Sequence, residues 1–275
     1  MRLAGVIGHP IAHSLSPVIM NAAIAATSLD WVFVAFDVAE GDGPRAIDAV
    51  RTLGLVGLSV TMPHKEAVIT ALDGLTTDAE VLGAVNCVFR DGASLVGDNT
   101  DGPGLIRSLA EHEDLDVAGR RCAVLGAGAA ARSVIRALAS HGAAEVCVVN
   151  RGAARAESAA LLAGRVGRVG RPTDVSSMDL VINATPVGMA GVASGGSPLD
   201  VELIGAHHVL VDLVYHPIQT PFLLAGAQRG ARCIGGVGML VGQACLAFER
   251  WSGCPAPASA MTAAVTAELA ARSRA

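Results

Sequence analysis

Between residues 121 and 149 the chain runs apolar strand, glycine loop, helix, apolar strand, an order that predicts a parallel βαβ unit. Residues 121–125 (Arg-Cys-Ala-Val-Leu) and 145–149 (Glu-Val-Cys-Val-Val) have the length and composition of buried strands. Between them lie Gly126-Ala127-Gly128-Ala129-Ala130-Ala131 and a helical stretch from Arg132 to His141, closed by Gly142. A G-x-G-x-x-A loop in that setting suits a dinucleotide. The first glycine allows the tight turn, the second lets the backbone approach a pyrophosphate, and the small third residue lets helix and strand pack closely. A unit that takes a free ribose 2′-hydroxyl needs an acid after the second strand. Here stand Asn150 and Arg151, with Arg155 one helical turn further on. Two guanidinium groups suit a 2′-phosphate, so NADP is expected over NAD.

The rest of the chain alternates in the same way. Strands are expected at residues 3–7, 31–38 and 55–60, with helices at 17–26 and 44–53 and another that begins at Pro63 and runs to Leu72. Residues 85–89 and 94–97 flank Arg90-Asp91-Gly92-Ala93 and predict a hairpin. A helix follows to about Ala110, and the polar stretch 112–119 reads as a boundary. Beyond the glycine loop, strands are expected at 179–183 and 209–214, and a short helix and strand within 225–234. Residues 235–238 read as a flexible link, followed by helices at 239–251 and 259–271. The fold class is therefore α/β with mainly parallel sheets.

Composition removes several function classes. The 275 residues carry a net charge of −5 with no Lys/Arg run, which argues against nucleic acid. The longest apolar stretch, around residues 235–248, is Gly-rich and broken by Gln243, too poor for a membrane span. The N-terminus reaches His9-Pro10 without a signal-peptide apolar region, and a cytoplasmic protein is expected. Six cysteines form no C-x-x-C pair, so neither a disulfide framework nor a zinc site is expected. No G-x-S-x-G elbow and no H-E-x-x-H are present.

Chemistry-bearing residues gather where strands end. Ser59-Val60-Thr61-Met62-Pro63-His64-Lys65 closes one strand, at the edge where open α/β sheets bind ligands. Thr61 and Lys65 read equally as a helix cap and a solvated charge, or as ligand-binding groups. Ser16 is a good N-cap before Pro17, whereas Ser14 has no such duty and hints at an anion or polyol. Asp101 reads as a helix-dipole partner at a helix start, and Gln243 as a buried amide or a ligand contact.

With these residues in view the chain resembles the shikimate dehydrogenase family almost end to end. The motifs that carry the resemblance are Ser14-Leu15-Ser16-Pro17, the Ser59 to Lys65 stretch, Gly83-Ala84-Val85-Asn86 and Asn99-Thr100-Asp101-Gly102. The second half adds the glycine loop, Asn150-Arg151, Asn183-Ala184-Thr185-Pro186, Asp212-Leu213-Val214-Tyr215 and Gly238-Met239-Leu240-Val241-Gly242-Gln243. The resemblance implies a substrate domain of residues 1–102 and 239–275, a Rossmann-type NADP domain of residues 103–238, and a deep cleft. It implies reversible reduction of 3-dehydroshikimate to shikimate by a monomer or homodimer. It places Ser14, Ser16 and Tyr215 on the substrate carboxylate, and Ser59, Thr61, Lys65, Asn86, Asp101 and Gln243 around the ring oxygens, with Lys65 and Asp101 catalytic. It places NADP(H) on Gly126, Ala127, Gly128, Ala129, Ala130, Asn150, Arg151, Arg155, Thr185, Pro186, Met189, Leu213, Gly236 and Met239, and implies no metal.

The chain departs from the family's commoner pattern at four positions. Ser59 replaces a frequent Asn, His64 an apolar residue, Cys87 a Thr, and Gly152 a Thr or Ser beside the expected phosphate. Two rivals share the motifs: a quinate/shikimate dehydrogenase of broader substrate or NAD use, and a paralogue that binds NADP and a polyol acid without turnover. Ser14, Ser16, Tyr215 and Asn150-Arg151 favour the strict shikimate type over the first. The Lys65 and Asp101 pair counts against the second.

Overall fold

The computed structural model describes residues 1–191 and 196–274 and divides into two compact units, residues 1–100 with 241–271 and residues 101–240 with 272–275. The first unit holds β1 (Arg2–Gly8), α1 (Ser16–Ala26), β2 (Trp31–Asp37), α2 (Gly43–Leu53) and β3 (Gly57–Val60). After a 3-10 turn at Ala67–Ala71 come β4 (Gly74–Leu75), α3 (Thr77–Leu82), β5 (Cys87–Asp91) and β6 (Ser94–Asp98). The second unit starts with α4 (Asp101–Glu113), β7 (Arg121–Leu125), α5 (Ala129–Ser140), β8 (Glu145–Val149), α6 (Ala153–Leu161) and β9 (Gly167–Val169). It continues with β10 (Leu180–Asn183), β11 (Val209–Asp212), α7 (Pro221–Gln228) and β12 (Arg232–Ile234). The last helices are α8 (Val237–Ser252), which passes from the second unit into the first at Leu240–Val241, and α9 (Ala258–Arg272).

The first sheet is ordered β2-β1-β3-β5-β6-β4, and only the two ladders made by β5 are antiparallel. Because β5 runs against its neighbours, its first residue sits at the edge where β1, β3 and β6 end. The register confirms it: Ser59 faces Cys87, and Cys87 faces Asp98. One face of this sheet is covered by α2, whose Ile47 and Val50 are fully buried against Ile7, Leu58 and Val60. Each such side chain contributes roughly 2 kcal/mol by leaving water.

The second sheet is parallel throughout, in the order β12-β11-β10-β7-β8-β9. Its central strands β7, β8 and β10 are buried on both faces, and their alternate residues separate cleanly. Cys122, Val124, Val146, Val148, Leu180 and Ile182 enter one core; Ala123, Leu125, Cys147 and Val181 enter the other. That is the doubly wound arrangement, with its topological switch point between β7 and β10.

Several boundaries differ from the sequence expectation. No α-helix starts at Pro63. The Lys65 carbonyl accepts from the Val85 amide, and the Ile69 amide bonds back to Glu66, so only the 3-10 turn forms. Ser16 is not the cap of α1 but its first residue, and the Ser14 hydroxyl accepts from the Ser16 amide at 3.3 Å. The hairpin closes on Gly92-Ala93 alone, since Asp91 still pairs with Ser94. Helix α4 runs on to Glu113, α5 begins at Ala129, α7 at Pro221, and α8 already at Val237, which shortens the glycine link. The elements β4, α3 and β9 had no sequence counterpart. Helix α3 has only six residues, too short for periodicity, and is held by the Thr76 hydroxyl at its N-cap and Gly83 at its C-cap.

Candidate functional site

In the first unit the strand ends build one continuous polar edge. The Thr61 amide donates to Ile7 O and the His9 amide to Met62 O, both at 3.0 Å, which ties the loop after β1 to the loop after β3. The Val60 amide donates to Asn86 O at 2.8 Å, and Asn86 N–H donates to Asp98 O at 3.0 Å. Ser14, Ser16, Ser59, Thr61, Lys65 and Asn86 therefore share this edge. All are half-buried except Asn86, which is buried. Thr61 caps no helix, and Lys65 is half-buried.

His64, next to Lys65 in the chain, is anchored in the core. That imidazole is 1% exposed, and its Nε2–H donates to Val38 O at 2.8 Å.

Asn86 is held by Thr100, a contact that nothing in the sequence foretold. The Thr100 amide donates to Asn86 Oδ1 at 2.7 Å, Asn86 Nδ2 donates to the Thr100 hydroxyl at 3.0 Å, and that hydroxyl donates to Gln243 O at 3.1 Å. One residue thus fixes which way the Asn86 amide faces and binds the α8 main chain beside it. Next to it, Asp98 accepts from Thr76 and from the Arg250 guanidinium, so α8 is pinned a second time.

Asp101 and Tyr215 belong to the second unit. Asp101 is the first residue of α4 and is buried. Tyr215 lies just beyond β11, and burial raises its phenol pKa above the ordinary value.

The second unit carries the dinucleotide features around its switch point. Gly126 adopts φ +113°, and a Cβ there would stand 3.0 Å from Ala184 O, so only glycine lets the loops after β7 and β10 meet. Helix α5 starts at Ala129 behind Gly128, with no side chain capping it. Its first amides, including those of Ala129 and Ala130, have no partner within the helix, and Gly128 is exposed with open space about it. An uncapped N-terminus is an anion site through its N–H groups and dipole. Arg151 and Arg155 are exposed at the start of α6, and Asn150 Nδ2 donates to Gly152 O at 3.0 Å. Ala127 and Leu213 are half-buried, Pro186 and Met189 exposed, and Gly236 packs under the Leu213 carbonyl. The Thr185 hydroxyl donates to Asn183 Oδ1 at 2.7 Å and shapes its own loop. Met239, 9% exposed, is a member of the hydrophobic core of this unit. These features fit a dinucleotide with a 2′-phosphate: an uncapped helix start, a cradle that a Cβ would fill, and two exposed guanidinium groups.

Comparison with known proteins agrees in both units. Residues 6–88 match the shikimate dehydrogenase substrate binding domain, residues 108–195 the shikimate / quinate 5-dehydrogenase domain, and residues 236–266 the shikimate 5'-dehydrogenase C-terminal domain. The shikimate dehydrogenase (NADP(+)) of Geobacter metallireducens is 44% identical over 281 residues, covering 98% of this chain and 97% of its own. Shikimate 5-dehydrogenase from Thermus thermophilus, solved with NADP(H) and shikimate, superposes with a TM-score of 0.90 at 35% identity, covering 97% of this chain and 99% of that one. Quinate dehydrogenase from Corynebacterium glutamicum, solved with NAD, gives 0.89 at 30% identity, with 97% and 99% covered. The chain belongs to the shikimate dehydrogenase family.

Proposed function

We propose that this chain reduces the 3-keto group of 3-dehydroshikimate to shikimate, reversibly and with NADPH, in the biosynthesis of chorismate and the aromatic amino acids. The observation that carries the reading is the polar edge of the first unit, with Ser14, Ser16, Ser59, Thr61, Lys65 and Asn86 on adjoining strand ends. A polyhydroxylated acid asks for such a set: hydroxyls and an amide for its ring oxygens, and a cation for the oxygen that reacts.

NADPH, when bound, supplies the hydride. The N-terminus of α5 with Gly126, Ala127, Gly128, Ala129 and Ala130 would hold its pyrophosphate, and Asn150, Arg151 and Arg155 the 2′-phosphate. Thr185, Pro186, Met189, Leu213, Gly236 and Met239 would line the remainder, Met239 from the core side. Hydride arrival puts negative charge on the former keto oxygen. Lys65 stabilises that charge, and either its ammonium or a group it orders delivers the proton. Asp101 would orient the lysine and accept from a neighbouring ring hydroxyl. Ser14, Ser16 and Tyr215 would bind the carboxylate, and Tyr215 stays a neutral donor because burial opposes its ionisation. Ser14 has a second duty here, since it also receives the Ser16 amide. Asn86 and Gln243 would meet the ring oxygens.

The protein is placed in the cytoplasm, as a monomer or homodimer. Six free thiols suit a reducing compartment, and among the described residues no helix is long and apolar enough to cross a membrane. The test is turnover of shikimate with NADP+ by the purified protein, with quinate and NAD+ as the competing substrates.

A further inference from the structure

At the ends of β10 and β11 lies a buried carboxylate to which the proposed reaction gives no task. Asp212 is fully buried, as are Asn183 and Thr220 around it. Its Oδ1 accepts from Asn183 Nδ2 at 2.8 Å and from the Val214 amide at 3.0 Å, and its Oδ2 accepts from the Thr220 hydroxyl at 2.6 Å. All three donors are neutral. A buried carboxylate without a cation costs stability, and burial accordingly pushes its pKa up.

The three bonds join the end of β10 to two points of the loop between β11 and α7. Asn183 passes the constraint on: its Oδ1 accepts from both the amide and the hydroxyl of Thr185, at 3.1 and 2.7 Å, and Thr185 in turn receives the Val187 amide at 3.2 Å. Val214 precedes Tyr215. Thr220 caps α7, taking the Leu223 amide. We propose that Asp212 is a positioning residue for cofactor binding: by fixing the Asn183 amide it sets the Thr185-Pro186 loop that faces Gly126 at the switch point.

The inference rests on Thr185 and Pro186 lying at the NADP site. A carboxylate suits the task because it offers acceptor sites for three converging donors; an apolar side chain would leave the Val214 N–H unmade and the Asn183 Nδ2 with only its 3.2 Å bond to Val187 O.

The test is a double-mutant cycle read by calorimetric binding of NADP+ alone, without any acid substrate. Asp212→Ala and Thr185→Val are each expected to weaken NADP+ about tenfold, and the double variant to bind no worse than Asp212→Ala. Additive losses, about a hundredfold in the double variant, would overturn the proposal, because a merely structural role does not couple to Thr185. Asp212→Asn keeps an acceptor for Asn183 and Val214 and turns a donor to Thr220; it is expected within about threefold of wild type. Loss equal to that of Asp212→Ala would overturn the positioning role. If Asp212→Ala does not fold, Asn183→Ser enters the cycle in its place with the same two outcomes. Failure of the wild type to bind NADP+ overturns this proposal together with the cofactor assignment, whereas additivity overturns this one alone.

Discussion

At the scale of single residues, the proposed reaction puts the largest share of the chemistry on Lys65. Replacing it with Ala would remove the cation proposed to meet the developing oxygen charge. The expected result is a fall in kcat of about 10²–10³-fold, or ~3–4 kcal/mol, with shikimate still bound when binding is measured directly. Near-normal turnover with unchanged binding would remove Lys65 from its role. Tyr215 makes a pH prediction. Its phenol is raised above its ordinary value by burial, so the O–H remains a donor well into the alkaline range. The KM for shikimate should show no inflection from this group between about pH 7 and 9. An inflection there that vanishes in Tyr215→Phe would contradict it. The identities of the polar residues were legible in the sequence, but their local partners were not. Ser14 rather than Ser16 serves the start of α1, and Thr100 orders Asn86, because both bonds depend on how the loops fold and meet.

At the scale of elements, strands and long helices could be read from their own residues, since period and composition are local. Helix α3 and the turn after Met62 could not. The latter is decided by Val85 taking the Lys65 carbonyl and by His64 reaching Val38, contacts across 20 and 26 residues. Close helix packing was equally hidden. Gly102, read only as part of a motif, donates its amide to the Ser133 hydroxyl, and a Cβ there would lie 2.3 Å from Ser133 O. Gly102→Ala should therefore force α4 away from α5. Overpacking of this kind costs about 1–3 kcal/mol, to be measured by urea or thermal unfolding. A variant as stable as wild type would show that the two helices can separate freely.

At the scale of the whole molecule, each unit repeats one rule: polar residues stand where parallel strands end. In the first unit that edge presents hydroxyls, an amide and a lysine; in the second, an uncapped helix start and two arginines. The division of labour follows from those inventories, the first suited to a polyol acid and the second to a phosphorylated dinucleotide. Gly152 removes one hydroxyl beside the expected 2′-phosphate, so the arginines carry that preference: Arg151→Ala should weaken NADP+ by roughly tenfold while leaving NAD+ near its starting affinity. Equal losses for both dinucleotides would show that Arg151 does not read the phosphate.

The most direct test offers the purified protein shikimate or quinate, each with NADP+ or NAD+, and follows nicotinamide reduction. The expected result is the highest kcat/KM with shikimate and NADP+. Turnover confined to quinate and NAD+, or none with any pairing, would contradict it.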